Sequence, residues 1–262
     1  MDRWRGKWAL ITGASAGIGT ELARILAAGG TNLVLTARRR DRLEQLAAEL
    51  NGKYSVQVEI FPMNLARPEA PGEIFAFTAS KGIRVDLLVN NAGFGVYGPF
   101  RSSELSRQLE MVQLNCAAVV HLTHLYLPGM IERRSGDILI LASTAAYQAV
   151  PYISTYAATK AFDLLFAEGL AEEVRHFGVR VCALCPGSTN TEFQQVAGQP
   201  DRAFRRAETA DKVARVGLEA LASGKSSVIS GFANKFGAEG QRLMPRRLVT
   251  QIAAKMFAPP QP

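Results

Sequence analysis

A chain of 262 residues that is 48% hydrophobic and 20% charged can bury a large core, and this length suits an alternating β/α fold of one domain, residues 1–262. The net charge of +7 is uneven, because residues 201–262 hold 11 Lys and Arg against 5 Asp and Glu. A basic end can attract nucleic acid, an acidic membrane or an anionic substrate, but aromatic interleaving is sparse and no nucleic-acid motif accompanies it, so the expectation is a solvated surface without nucleic acid.

The N-terminus, Met1-Asp2-Arg3-Trp4-Arg5-Gly6-Lys7, is polar and leaves no room for a secretory h-region. The most apolar stretches, 116–131 and 138–146, are broken by His121, His124 and Pro128 or are too short to span a bilayer. A cytoplasmic protein without a transmembrane segment is therefore expected. Cys116, Cys182 and Cys185 are too few for a disulfide scaffold. Cys182-x-x-Cys185 has metal or redox spacing, yet it ends a β-like run in which positions three apart face opposite ways, so no metal site is expected.

Apolar runs alternate with helix-period segments, the pattern of βαβ units in a parallel sheet covered on both faces. Strands are expected near 7–12, 32–36, 55–61, 86–90, 137–142, 178–184 and 226–230. Helices are expected near 18–29, 40–50, 68–80, 104–131, 152–176, 210–222 and 241–257. The fold class is α/β, a doubly wound Rossmann-type parallel sheet of about seven strands in the order 3-2-1-4-5-6-7.

Directly after the first strand comes Thr12-Gly13-Ala14-Ser15-Ala16-Gly17-Ile18-Gly19. Its glycines permit a tight turn, close approach of backbone to a pyrophosphate and close helix packing, and the helix N-terminus offers free N–H groups to phosphate. At the end of the second strand, an NAD-binding protein usually places a carboxylate for the ribose 2′-hydroxyl. Here that slot is Ala37, followed by Arg38, whose guanidinium suits a 2′-phosphate, so NADP(H) is favoured over NAD(H).

In Tyr156-Ala-Ala-Thr-Lys160 a helix puts the phenol and the ammonium one turn apart on one face. A fixed cation lowers the phenol pKa, so Lys160 is expected to make Tyr156 a usable proton donor and acceptor. The last segment carries Leu248, Ile252 and Met256 at four-residue spacing beside Val249 and Ala253, an amphipathic helix near 241–257 with Arg242, Arg246 and Lys255 around it. Packing against the same chain or a partner subunit is expected, ahead of peripheral membrane contact or a cover for the substrate entrance.

Thr12-Gly13-x-x-x-Gly17-Ile18-Gly19, Asn90-Asn91-Ala92-Gly93, Asn115, Ser143, Tyr156-x-x-x-Lys160 and Pro186-Gly187 follow one another in an order that resembles the short-chain dehydrogenase/reductase family, in its compact single-domain branch. The gap of 13 residues from Ser143 to Tyr156 is also similar to the family's.

The resemblance implies that Gly13, Ser15, Ala16, Gly17, Ile18 and Gly19 hold the cofactor phosphates. It places Asn64, where relatives commonly have Asp, and Leu65 at the adenine, Asn91, Ala92 and Gly93 beside the adenine ribose, and Pro186, Gly187, Thr189 and Thr191 over the nicotinamide carboxamide. Asn115 would hold a water that relays protons through Lys160, which would also bond the nicotinamide ribose. Ser143, at the carboxyl edge of the sheet, would donate to the substrate carbonyl; Thr144 is the alternative donor.

A lid near 188–210 follows, with Phe193 and Val196 lining a pocket together with Phe94, Tyr147 and Ile153. The family is often dimeric or tetrameric through helices 104–131 and 152–176, so a homodimer or homotetramer is expected. The function implied is hydride transfer between NADP(H) and a small-molecule carbonyl or alcohol. The rivals are a 3-oxoacyl thioester reductase, whose basic C-terminal region would meet an anionic carrier, and a non-catalytic NADPH-binding sensor or scaffold.

Overall fold

The computed structural model describes residues 2–198 and 207–259. The long apolar runs become strands, most of them buried on both faces: β1 (Trp8–Thr12), β2 (Asn32–Thr36), β3 (Val58–Ile60), β4 (Val85–Asn90), β5 (Gly136–Leu141) and β6 (Val179–Cys185). A short pair, β7 (Thr189–Asn190) with β8 (Glu208–Thr209), precedes the last sheet strand, β9 (Ser227–Ile229). Seven strands join in parallel in the order β3-β2-β1-β4-β5-β6-β9, the expected arrangement.

Alternate residues of each strand feed two cores. Ile11, Leu33, Leu87 and Leu139 meet α1 (Gly17–Ala28), α2 (Arg40–Lys53) and α8 (Ala210–Ala222). Leu10, Val34, Leu88 and Ile138 meet α3 (Ala70–Ser80), α5 (Ala118–Glu132) and α6 (Ser154–Val174). Each such side chain contributes about 1.5–3 kcal/mol on burial. Cys182 lies in the first core and Cys185 in the second, so the CxxC spacing is divided by the sheet. Burial pushes both thiols up to about 12, and the three cysteines are free.

The expected helix 104–131 is α4 (Leu105–Val112), a π-helical turn at Gln113–Ala117, and α5. This 28-residue helix is long and apolar enough to cross a membrane. Its residues Met111, Asn115, Leu122 and Met130 are packed inside the protein and α5 lies on β4 and β5, while Leu105, Leu109 and Val112 are exposed.

The expected helix 241–257 is displaced. Pro245 pushes Met244 into extended backbone, so the helix begins afterwards as α10 (Arg246–Phe257). Before it lie a further helix, α9 (Phe232–Gly240), that glycines at 231, 237 and 240 conceal in the sequence, and a 3-10 turn, Gln241–Leu243. Val249, Ala253 and Phe257 of α10 pack inward, while Leu248, Ile252 and Met256 are 45%, 43% and 67% exposed, so of the expected packing on the same chain or a partner subunit, this stripe does not make the first. Of the expected lid, β7, α7 (Phe193–Ala197) and β8 are described; residues 199–206, with Arg202, Arg205 and Arg206, lie outside the described residues, as do 260–262 of the tail.

Candidate active site

The turn from β1 into α1 is set by glycine. Gly13 (φ 67°) and Gly17 (φ 58°) hold left-handed backbone that side chains resist. A Cβ at Gly13 would lie 2.7 Å from the Asn91 amide nitrogen, and one at Gly19 2.4 Å from the Gly13 carbonyl oxygen. Thr12 Oγ1 accepts from the backbone N–H groups of Asn91 and Ala92 at 2.9 Å each, while Asn91 Nδ2 donates to the Thr12 carbonyl at 2.7 Å. These bonds clamp the carboxyl ends of β1 and β4, where the strand order turns, which is where doubly wound sheets bind ligands.

A cavity of about 410 Å³ opens there. It is lined by Gly13, Ser15, Ala16, Gly17 and Ile18 at the uncapped N-terminus of α1, by Arg38, Asn64 and Leu65 on one side, and by Asn91, Ala92 and Gly93 below. Ser143, Tyr156 and Lys160 line its far end with Pro186, Gly187, Thr189 and Thr191. Gly19 and Asn115, also expected, stand behind the wall. An uncapped helix N-terminus beside a turn with no room for Cβ atoms suits a dinucleotide pyrophosphate.

Arg38, expected to clamp the 2′-phosphate, lines the cavity. It is 61% exposed and 3.9 Å from Glu110, whereas Arg39 places Nε and an Nη each 3.3 Å from Ser15 Oγ. Arg39 also pairs with Glu192 at 2.7 Å, and Arg42 bonds the other oxygen of that carboxylate. The two guanidiniums hold Glu192 below the usual carboxylate range.

At the other end, β5 delivers Ser143 and the next turn delivers α6. Ser143 Oγ caps the short 3-10 turn Thr144–Tyr147 by accepting from the Ala145 N–H at 3.1 Å. Tyr156 is 9% exposed, its ring 5.2 Å from that of Phe193. Lys160 donates to the Leu141 carbonyl and to Asp163 Oδ2, the latter at 2.9 Å.

Burial raises the Tyr156 phenol above its ordinary pKa, Lys160 and a hydrogen bond with Ser143 pull it down, and Asp163 pushes it back up. The net direction is upward, which corrects the expectation of a phenol made acidic by Lys160. Burial opposes the Lys160 ammonium, but Asp163 and then Tyr156 outweigh it and hold its pKa up. Tyr156 is thus a neutral phenol at neutral pH, fit to give a proton away.

Asn115 is fully buried in the π turn. Its Oδ1 accepts from the Phe94 N–H at 3.2 Å, and its Nδ2 donates to the Phe94 carbonyl and Thr159 Oγ1, at 3.0 Å each. The side chain thus ties the strand-β4 loop to α6. A Cβ on Gly93 would sit 3.1 Å from Asn115 Oδ1 and 3.5 Å from Lys160 Nζ, so Gly93 is flanked by both.

Residues 7–202 match the family described as short chain dehydrogenase. The chain belongs to the short-chain dehydrogenase family. It is 36% identical over 181 residues to a very-long-chain 3-oxoacyl-CoA reductase of Phaeosphaeria nodorum, covering 68% of this chain and 53% of that one. It is 32% identical over 197 residues to the Bos taurus protein of the same name, covering 74% of this chain and 62% of that one. The chain therefore spans little more than half the length of these curated relatives. The solved structure of a short-chain dehydrogenase from Sphingobium yanoikuyae in complex with NADPH superposes with a TM-score of 0.82 at 30% identity, over 90% of this chain and 93% of that one.

Several cavity residues of this short-chain dehydrogenase escaped the sequence reading. Phe257, at the end of α10, reaches the cavity and is fixed by the Tyr97 hydroxyl, which donates to its carbonyl at 2.8 Å. Phe94, Ile153, Phe193 and Val196 line the cavity as expected, but Tyr147 turns away to Cys185 Sγ. Asp163 is legible only as an acid in the apolar run Ala161-Phe162-Asp163-Leu164.

Proposed function

We propose that the protein is an NADPH-dependent reductase of a carbonyl group. The observation that carries this reading is the meeting of Ser143, Tyr156 and Lys160 at one end of a cavity whose other end is the glycine turn. Bound there, the nicotinamide supplies the hydride. The Ser143 hydroxyl donates to the carbonyl oxygen and polarises it, and the neutral Tyr156 phenol gives that oxygen its proton. Lys160, held by Leu141 and Asp163, keeps a cation beside the phenol as it loses that proton. Arg39 and Ser15, with no carboxylate at Ala37, support NADPH over NADH.

The relatives named 3-oxoacyl-CoA reductases favour a 3-oxoacyl thioester as the carbonyl substrate. The apolar lining by Phe94, Ile153, Phe193 and Phe257 fits an acyl chain, and the basic C-terminal region fits an anionic carrier. NADPH oxidation across a panel of small ketones and 3-oxoacyl-CoA esters tests both readings. Turnover is expected to vanish in Tyr156→Phe while NADPH binding, read by fluorescence, persists; unchanged turnover would defeat the mechanism.

A homodimer or homotetramer is part of the proposal. Leu105, Leu109 and Leu165 stand 68%, 58% and 68% exposed on α4 and α6, an outward apolar face suited to a second copy. Free thiols fit a reducing compartment such as the cytoplasm.

A further inference from the structure

The C-terminal segment keeps large apolar side chains in water. Phe232 and Phe236, one turn apart on α9, are 87% and 75% exposed, and Leu243 in the following turn is 91% exposed. Leu248, Ile252 and Met256 continue the exposed set along one stripe of α10. Such a concentration marks an interaction surface. Its charges all but share one sign. Arg242, Arg246, Arg247 and Lys255 are exposed and enter no ion pair among the described residues; the segment's one acid, Glu239, faces Lys235 at 3.9 Å.

We infer that the segment Phe232–Phe257 docks on the surface of a bilayer containing anionic lipid. Apolar side chains interleaved with arginines match the acyl boundary and headgroup layer of such a surface, where an amphipathic helix lies in the plane of the interface. A second copy fits less well, because an isologous pairing would bring these arginines against their own images with a single acid per copy to offset them. The segment also ends at the reaction cavity. Phe257 closes α10 and lines the cavity near Tyr156, so docking brings the mouth of the site to the membrane face, where an apolar substrate is concentrated.

Co-sedimentation with vesicles of phosphatidylcholine, with and without phosphatidylglycerol, tests this. The full chain is expected to sediment with the phosphatidylglycerol vesicles at low salt and to be released at high salt. The triple variant R242Q/R246Q/R247Q should lose about a hundredfold in partitioning, and F232S/L243S about tenfold or more. All five side chains are exposed, so both variants should melt like the parent and still bind NADPH. Equal sedimentation with both vesicle types, or none with either, overturns the inference. So does a dimer, seen by analytical ultracentrifugation, that F232S/L243S dissolves and anionic vesicles do not. Vesicle binding is read without turnover, so its loss and the loss of reductase activity are separate results.

Discussion

The Lys160 ammonium lies 2.9 Å from the Asp163 carboxylate one turn along α6, with 7% and 1% of the two side chains exposed. Burial is what chiefly keeps the Tyr156 phenol protonated, and the carboxylate adds a smaller upward push against the pull of the ammonium. In Asp163→Asn that push is gone. The phenol pKa then falls, so reduction, which needs the protonated phenol, should lose activity at a lower pH than in the parent. Oxidation of an alcohol, which needs the phenolate, should gain activity at a lower pH. Parallel pH profiles of kcat in both directions read the shift, and unchanged profiles would remove Asp163 from the proton chemistry. Asp163→Leu leaves a buried ammonium without its partner and should cost about 3–5 kcal/mol in denaturant unfolding.

Arg39, not Arg38, touches Ser15 at the glycine turn. Arg39→Ala should weaken NADPH binding roughly 10- to 100-fold through the loss of a charge-assisted contact, with NADH little changed. Arg38→Ala should change either cofactor far less. Glu192 shares the Arg39 guanidinium and is 38% exposed, so its competition with a phosphate is weak, and Glu192→Gln should tighten NADPH binding by only about two- to fivefold. Fluorescence titrations of the two cofactors against the three variants decide it; equal losses for NADPH and NADH in Arg39→Ala would place the 2′-phosphate elsewhere.

These two cases show which parts of the site can be read from the chain. Tyr156 and Lys160 are legible because a helix fixes what stands one turn apart, and the glycine turn is legible because only glycine tolerates its backbone. The sheet order follows from strands and helices in alternation. Asn115 was different: its role rests on Phe94, 21 residues away, and Thr159, 44 residues away, and no local period reveals such bonds. Arg38 and Arg39 are chemically equal neighbours, and only the path of the backbone out of β2 sends one outward and the other to Ser15. The direction of the Tyr156 shift is not legible in the chain, because spacing discloses the nearby cation but not the extent of burial.

Asn115→Ala removes the three bonds that tie the loop after β4 to α6 and leaves the Phe94 N–H and carbonyl buried without partners. Each orphaned group costs about 1–3 kcal/mol, so the variant should lose about 2–6 kcal/mol of stability. Gly93 lies between this amide and the Lys160 ammonium, so kcat should fall as well. Denaturant unfolding and steady-state rates measured on one preparation test this. A stable variant with normal kcat would reduce Asn115 to a filler of the π turn.

Ser143 and Thr144 are adjacent hydroxyls on the cavity wall, and the chemistry needs one of them. Ser143 lines the far end of the cavity with Tyr156 and pulls its phenol pKa down, whereas the backbone N–H of Thr144 is held by the Pro186 carbonyl at 2.9 Å. A donor aimed at the oxygen where negative charge develops is worth about 10²–10³ in kcat. Ser143→Ala should lose that factor with its NADPH affinity intact, and Ser143→Thr should recover part of it by restoring a hydroxyl at the same Cβ. Thr144→Ala should stay within a few-fold of the parent. If the large loss falls on Thr144→Ala instead, the carbonyl oxygen sits one residue further along the 3-10 turn, and the substrate must enter from the side of Ala145 rather than from that of Phe193.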